Sequence, residues 1–144
     1  MFFGIYHHTM DAKGRTSLPA RFREELRSAD EPKVFLIQAP GLKALRAMPL
    51  SLWKKVEERV MHVSPFDLNG QKNILRYFSS AQEIDLDEQG RVLVPAQLRA
   101  YAGLQKEVVW TGAGRDMALW DREVYEAQAT EELPAERVDE LLKV

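Results

Sequence analysis

The chain has 144 residues, the length of one domain, of which 45% are hydrophobic and 29% are charged. This composition is that of an ordinary globular protein and excludes disordered and collagen-like classes. Cysteine is absent, which excludes disulfide frameworks, thiolate-bound zinc, iron–sulfur clusters and cysteine nucleophiles. The net charge of −2 argues neither for nor against a nucleic-acid partner.

The first predicted strand covers residues 4–9. The N-terminal segment that contains it lacks the basic region and the long apolar stretch of a secretion signal. The longest apolar runs, at 34–37 and 92–94, are far shorter than the roughly 18 residues needed to span a bilayer. We therefore expect a protein inside the cell with no membrane partner.

A segment near the start of the chain is repeated near its end. The sequence DAKGRTSLPARFR at 11–23 aligns with DEQGRVLVPAQLR at 87–99, with identity at the aspartate, the glycine, two arginines, the proline and an alanine. Further along, 34–36 aligns with 108–110, and 48–53 aligns with 120–125. We predict two similar halves at 5–51 and 81–124, separated by a helical connector at 52–80 and followed by an acidic helical tail at 125–144.

Each half is expected to contain the same series of elements. A strand (4–9 or 82–86) leads into Asp-x-x-Gly-Arg, which is typical of a hairpin turn because Asp bonds nearby backbone and Gly accepts a positive φ. A return strand then ends at Pro19 or Pro95, a residue suited to the first turn of a helix. Gly103 is expected to end the second helix, and a strand at 33–38 or 107–111 completes each unit.

The connector and tail are predicted to be helical. An apolar stripe at Leu52, Trp53, Val56 and Val60 predicts an amphipathic surface helix. A second helix is expected at 71–78, with Ile74, Leu75 and Phe78 directed inward, and a third after Pro134, with Val138, Leu141 and Leu142. The three tryptophans are expected to pack in the core or between protomers: Trp53, Trp110 and Trp120.

Neither half is large enough to close a barrel, and each leaves sheet edges that need a partner. The predicted fold class is therefore α+β. We expect the halves to interleave about a pseudo-twofold axis into one small barrel with peripheral helices, which places the two turns on related surfaces.

The repeated arginines are the first candidate site. Arg15 and Arg91 carry planar guanidinium groups suited to bidentate contact with phosphate or guanine. Lys13 adds charge to the first turn, whereas Glu88 and Gln89 make the second less basic. The alternative is structural, since Asp and Arg four residues apart can form a surface salt bridge.

Other repeated residues have backbone or supporting roles in this interpretation. Gly14 and Gly90 are backbone requirements of the turns. Arg23 and Arg99 lie one turn into the predicted helices, where they serve either as structural residues or as secondary DNA contacts.

The N-terminal MFFGIYHHTMDAKGRTSLPARFREEL, the second DEQGRVLVPAQLRAYAGLQKEVVWTG and the following ALWDREVYE resemble the MraZ family over essentially the whole chain. The resemblance implies a tandem AbrB/SpoVT-like swapped-hairpin barrel. It also implies a sequence-specific DNA-binding transcriptional regulator of the bacterial division and cell-wall gene cluster, located on the nucleoid and assembled as a ring-shaped homo-oligomer. No catalysis, cofactor or small-molecule substrate is implied.

The DNA-contacting turns of the family map onto 11–15 and 87–91. The expected DNA contacts are Lys13, Arg15, Arg21 and Arg91, and the residues that orient the turns are Asp11, Gly14, Asp87 and Gly90. A ring would multiply a modest single-chain affinity for promoter DNA with repeated elements, and phosphate contacts would make binding salt-dependent.

Two other functions are alternatives to this hypothesis. An enzyme is disfavoured because no HExxH, GxSxG or Walker A pattern accompanies His7, His8 and His62. Gly112 to Gly114 is expected to be a strand connection and not a phosphate cradle, and Asp85 with Asp87 indicates no metal site. The second alternative is a ring-forming protein-interaction module with no direct DNA contact.

Overall fold

A computed structural model describes residues 1–131, 134, 140, 142 and 143. Within these residues the fold is mixed α+β, with antiparallel strand pairing. The strands are β1 (Ile5–Thr9), β2 (Arg15–Ser17), β3 (Lys33–Gln38), β4 (Leu45–Pro49), β5 (Gln82–Asp85), β6 (Arg91–Leu93), β7 (Glu107–Gly112) and β8 (Met117–Asp121). The helices are α1 (Ala20–Ser28), α2 (Leu50–Met61), α3 (Leu68–Arg76), α4 (Ala96–Ala102) and the short α5 (Arg122–Val124), with a 3-10 turn at Phe78–Ser80 and a π-turn at Tyr125–Ala129.

The strands form two sheets. Six of them lie in the order β1-β7-β8-β4-β3-β5, and β2 pairs with β6 in a separate two-stranded ribbon. Every pairing is antiparallel. The first strand of each half pairs with the third strand of the other half: Tyr6 lies opposite Trp110, and Gln82 lies opposite Leu36.

A pseudo-twofold axis relates the two halves. If each of β1–β4 is exchanged with its counterpart in β5–β8, the strand order of the six-stranded sheet becomes the same order read from the opposite edge. The axis passes between Thr16 and Val92 in the ribbon and between Arg46 and Ala118 in the large sheet, because these pairs occupy equivalent positions of the two halves. The two copies of the repeated sequence therefore have equivalent strand pairings.

Helices α1 and α4 begin, and α4 ends, where the sequence predicts. Pro19 and Pro95 precede α1 and α4 with extended backbone, so the missing N–H of each proline leaves no helical hydrogen bond unmade. Gly103 follows α4 in the left-handed conformation, with φ of 64°, which confirms its expected role as the terminator.

The main core is shared by both halves. Phe22 of α1 and Leu98 of α4 are buried in one cluster with Val92 and Trp110. The Phe22 ring also forms T-shaped contacts with the rings of Phe2 and Tyr6. Since neither half encloses this cluster alone, the two halves form one hydrophobic core.

A second cluster attaches the connector. Trp53 of α2 is stacked between Phe35 and Phe78, with ring centroids 5.0 Å apart on each side. The expected packing of the three tryptophans is confirmed, since Trp53, Trp110 and Trp120 are all buried.

Several predictions from the sequence need correction. Leu75 was expected to point inward with its neighbours on α3 but is 72% exposed, because α3 turns only its Ile74 side toward the protein. The helix predicted at 71–78 begins earlier, at Leu68, where Asp67 caps it. The predicted C-terminal helix, with Val138 and Leu141, lies outside the described residues. Among the described helices, none combines the length and the apolar character needed to cross a bilayer.

Candidate nucleic-acid interface

The first turn is organised by the side chain of Asp11. Its Oδ1 accepts hydrogen bonds from the backbone N–H of Lys13 at 3.0 Å and of Arg15 at 2.9 Å. Its Oδ2 accepts from Nε of Arg15 at 2.7 Å. The carboxylate thus fixes both the path of the turn and the direction of the arginine.

The second turn has the same geometry. Oδ1 of Asp87 accepts from the N–H of Gln89 at 2.9 Å and of Arg91 at 2.8 Å, and Oδ2 accepts from Nε of Arg91 at 2.8 Å. The Asp–Arg ion pair considered as the structural alternative is therefore present in both copies. It uses only Nε of each guanidinium, and among the described residues no hydrogen bond occupies Nη1 or Nη2 of Arg15 or Arg91.

The hydrogen bonds in each turn stabilise the charged form of its aspartate. The pKa of Asp11 is lowered from 3.8, first by the backbone N–H of Arg15 and further by the guanidinium of the same residue. The pKa of Asp87 is lowered in the same way by Arg91. Both turns are consequently held by ionised carboxylates at neutral pH.

Each turn is supported by an arginine from the other half. Gly14 has φ of 92°, and a Cβ placed on it would lie 2.8 Å from Cζ of Arg99 and 3.0 Å from the carbonyl oxygen of Val94. At Gly90, with φ of 75°, a Cβ would lie 2.8 Å from Nη1 of Arg23. Arg23 and Arg99 therefore lie directly over the glycine of the opposite turn.

Backbone hydrogen bonds connect the two halves at the same places. The N–H of Leu18 donates to the carbonyl of Gly90 at 3.0 Å, and the N–H of Val94 donates to the carbonyl of Gly14 at 2.9 Å. Nη1 of Arg23 donates to the carbonyl of Leu18 at 3.1 Å. The position of each turn is thus determined by the half to which it does not belong.

The β2–β6 ribbon brings the two arginines to one surface. Arg15 pairs with Leu93, and Arg91 pairs with Ser17, so Arg15 and Arg91 are diagonal neighbours on the same face, with Cα atoms about 7–8 Å apart by the usual strand geometry. The opposite face of the ribbon carries Thr16, which is buried in the protein. The arginine side chains are 34% and 30% exposed, so each is partly covered but still accessible to solvent.

The other predicted contacts are distributed around this face. Lys13 is exposed in the first turn, and Glu88 and Gln89 are exposed at the corresponding places of the second. Arg21 is exposed on α1, but its guanidinium lies 4.9 Å from the ring of Phe3, which precedes β1. This contact joins Arg21 to the segment before β1.

The structure also places the residues considered for other functions. His7 is exposed and His8 is half-buried on opposite faces of β1, and burial lowers the pKa of His8. In the described part of the chain, no three His, Cys, Asp or Glu side chains are placed to hold a metal ion. Gly114 lies in the connection from β7 to β8, as predicted, whereas Gly112 is the last residue of β7 and pairs with Met117 of β8.

Sequence reasoning missed two residues of the ribbon face. Ser17 and Leu93 alternate with buried residues and share the face of the arginines. The signal was present, since each lies two residues after its arginine, and side chains two apart on a strand share a face. Recognising it required knowing that β2 and β6 pair with each other.

These observations define a class of internally duplicated α+β proteins in which a two-stranded ribbon presents two aspartate-anchored arginines. The chain belongs to the MraZ family: the model of the family described as "MraZ protein, putative antitoxin-like" matches residues 1–66 and 77–143.

Several relatives match over nearly their full length. A protein of Anaeromyxobacter dehalogenans (strain 2CP-C) is 53% identical, with 96% of each chain covered. A protein of Carboxydothermus hydrogenoformans is 42% identical over 99% of this chain and 100% of its own, and one of Leuconostoc citreum is 35% identical over 98% and 94%. All three are named Transcriptional regulator MraZ, which supports a role in transcription regulation and does not place the family in an enzyme class.

Proposed function

We propose that this protein is a sequence-specific regulator of transcription that binds double-stranded promoter DNA through the outer face of the β2–β6 ribbon. The observation that carries the proposal is the placement of Arg15 and Arg91 side by side on that face, one from each half. The major groove of B-DNA admits a two-stranded ribbon, and arginine paired with guanine O6 and N7 is the commonest specific contact there.

The aspartates prepare the arginines for this contact. Because Oδ2 of Asp11 holds Nε of Arg15, the guanidinium is already oriented before DNA arrives and less side-chain entropy is lost on binding. The Nη groups remain for a base edge or a phosphate. Asp87 has the same effect on Arg91.

The remaining residues of the site have different roles in DNA binding. Lys13 contacts phosphate beside the first turn, and the second turn, with Glu88 and Gln89, contributes less charge. Arg23 and Arg99 support the glycines of the opposite turns, as their contacts indicate. Arg21 is a peripheral phosphate contact.

The assembly and target are proposed from family membership. We infer that the exchanged strands form the swapped-hairpin barrel of AbrB/SpoVT-like proteins, divided into repeats at 5–51 and 81–124, a helical connector at 52–80 and a tail at 125–144. The protein would act as a homo-oligomeric ring on repeated elements of the division and cell-wall cluster promoter, in the cytoplasm and associated with the nucleoid. A ring that presents several ribbons gains affinity by raising their effective concentration on repeated sites.

The test is a fluorescence-anisotropy titration of promoter DNA with repeated guanine-rich elements, at several salt concentrations. Arg15→Ala is expected to weaken binding at least tenfold and to reduce the salt slope by about one if its contact is to phosphate. Arg115→Ala is the matched control, since it removes the same charge from an exposed loop between β7 and β8.

The proposal fails if the wild-type chain binds this DNA no better than a scrambled duplex at low salt. If such a chain still forms a ring by light scattering, the protein is an interaction module without direct DNA contact.

A further inference from the structure

Leu93 is an exposed apolar side chain at the centre of the candidate DNA surface. It is 53% exposed, whereas its neighbours along the strand, Val92 and Val94, are 0% and 1% exposed. It lies directly opposite Arg15 across the ribbon and two residues after Arg91 on its own strand. A leucine is therefore flanked by two guanidinium groups on the same face.

The pseudo-twofold axis places a different residue at the equivalent position of the first half. Ser17 corresponds to Leu93, and it lies opposite Arg91 just as Leu93 lies opposite Arg15. The two arginines are chemically identical, so on the paired strands the serine and the leucine distinguish the two ends of the ribbon face, in addition to Lys13 and Gln89 in the turns. A surface of this kind recognises unequal sequences at its two ends.

We propose that Leu93 is a specificity-determining residue that contacts the 5-methyl group of a thymine next to the base or phosphate bound by the arginines. The proposal rests on the proposed function, because it assigns one more contact of the same surface. The thymine methyl is the apolar group on the major-groove edges of the four bases, and apolar side chains are its usual partners.

The surroundings of Leu93 favour DNA over a protein partner. An apolar protein patch would need apolar neighbours on the ribbon face, but this face otherwise carries Arg15, Arg91 and Ser17. The two cations attract a polyanion to the place where the methyl group would be covered. The methyl contact would then add discrimination between thymine and the other bases.

The experiment starts from a randomised double-stranded DNA library selected with the full wild-type chain. The selected duplex is then titrated with each thymine replaced in turn by deoxyuridine, which removes only the methyl group. Wild-type protein is expected to lose about fourfold in affinity at one thymine, the effect of one buried methyl. Leu93→Ser, which copies the first half, is expected to bind the thymine and deoxyuridine duplexes equally at that position.

Two controls isolate the contact. Leu75→Ser removes an even more exposed leucine, on α3, and is expected to keep the wild-type deoxyuridine profile. Light scattering of Leu93→Ser is expected to give the wild-type mass, and a changed mass would assign Leu93 to an interface between copies and overturn the proposal.

The remaining outcomes separate this proposal from the function on which it rests. If Leu93→Ser shows the same deoxyuridine losses as wild type, or if wild type loses affinity at no thymine, the methyl contact is wrong while DNA binding stands. If the wild-type chain enriches no sequence and binds no better than scrambled DNA at low salt, both proposals fall.

Discussion

Arg99, on α4 of the second half, lies over Gly14 in the turn of the first half. Arg23 has the same relation to Gly90, so each turn is covered by the half across the pseudo-twofold axis. Each of these two positions therefore requires glycine for two reasons: the backbone has a positive φ, and a guanidinium occupies the space of a Cβ. The second reason arises only when both halves are assembled. This explains why the glycine and the later arginine are repeated together.

Gly14→Ala is expected to destabilise the protein by about 1–3 kcal/mol, because an L residue is strained at φ of 92° and the added Cβ meets Arg99 and the Val94 carbonyl. Urea unfolding measures the change. Gly41→Ala is the matched control: its φ is 77°, but no atom lies within 4 Å of the added Cβ, so it reports the strain alone. Equal losses in the two variants would show that the guanidinium does not restrict Gly14.

Asp11→Asn is expected to lower the free energy of unfolding at neutral pH and to lose this difference as the pH falls below 3.8. The pKa of Asp11 is lowered in the folded state, so its contribution is complete above the unfolded value of 3.8 and disappears as the pH falls through the folded value. Urea titrations at a series of pH values measure the effect. Glu88→Gln is the matched control, since it removes the same charge from an exposed side chain, and a loss of stability at neutral pH equal to that of Asp11→Asn would contradict this account.

Arg46→Met is expected to cost about 2–3 kcal/mol, because it leaves the carboxylate of Asp116 buried without its charged partner. Nε of Arg46 donates to Oδ2 of Asp116 at 2.6 Å, and the Asp116 side chain is 2% exposed. Adding Asp116→Asn should restore part of the loss in thermal unfolding. Arg122→Met breaks the exposed pair with Glu107 and should cost less than about 1 kcal/mol. A similar loss in both variants would contradict this account.

Thr16→Val is expected to raise the stability by up to about 1 kcal/mol. Oγ1 of Thr16 is buried and has no hydrogen-bond partner among the described residues, and valine has the same shape without the hydroxyl. The equivalent residue across the axis is already Val92. Thr111→Val is the control with the opposite sign, since Oγ1 of Thr111 accepts from Nε1 of Trp120 at 3.2 Å. A lower melting temperature for Thr16→Val would show that its hydroxyl is satisfied.

Local chemistry made much of the fold predictable from the sequence. Prolines before the helices, Gly103 after α4 and the two Asp-x-x-Gly-Arg turns each determine their structure over a few residues. The strand at Lys33–Gln38 was predicted with its exact bounds. The repeat also indicated that equivalent residues would have equivalent surroundings, as Asp11 and Asp87 do.

The features that were missed depend on contacts between distant parts of the chain. The Arg46–Asp116 ion pair has no counterpart in the repeat, so the alignment could not reveal it. The placement of Arg23 over Gly90 requires the two halves to be interleaved in one particular register. The prediction for Leu75 was wrong because apolar residues alone do not show which side of a short helix packs against the protein. That side is known only when the partner surface is known.

The exchange of first strands has a consequence for synthesis on the ribosome. β1 leaves the exit tunnel among the earliest segments, yet its sheet partner β7 is translated near the end of the chain. The N-terminal half of the nascent chain therefore has an unpaired strand edge until translation is almost complete. A halted or truncated product exposes that edge to other chains. The six-stranded sheet is therefore completed only after most of the chain has been synthesised.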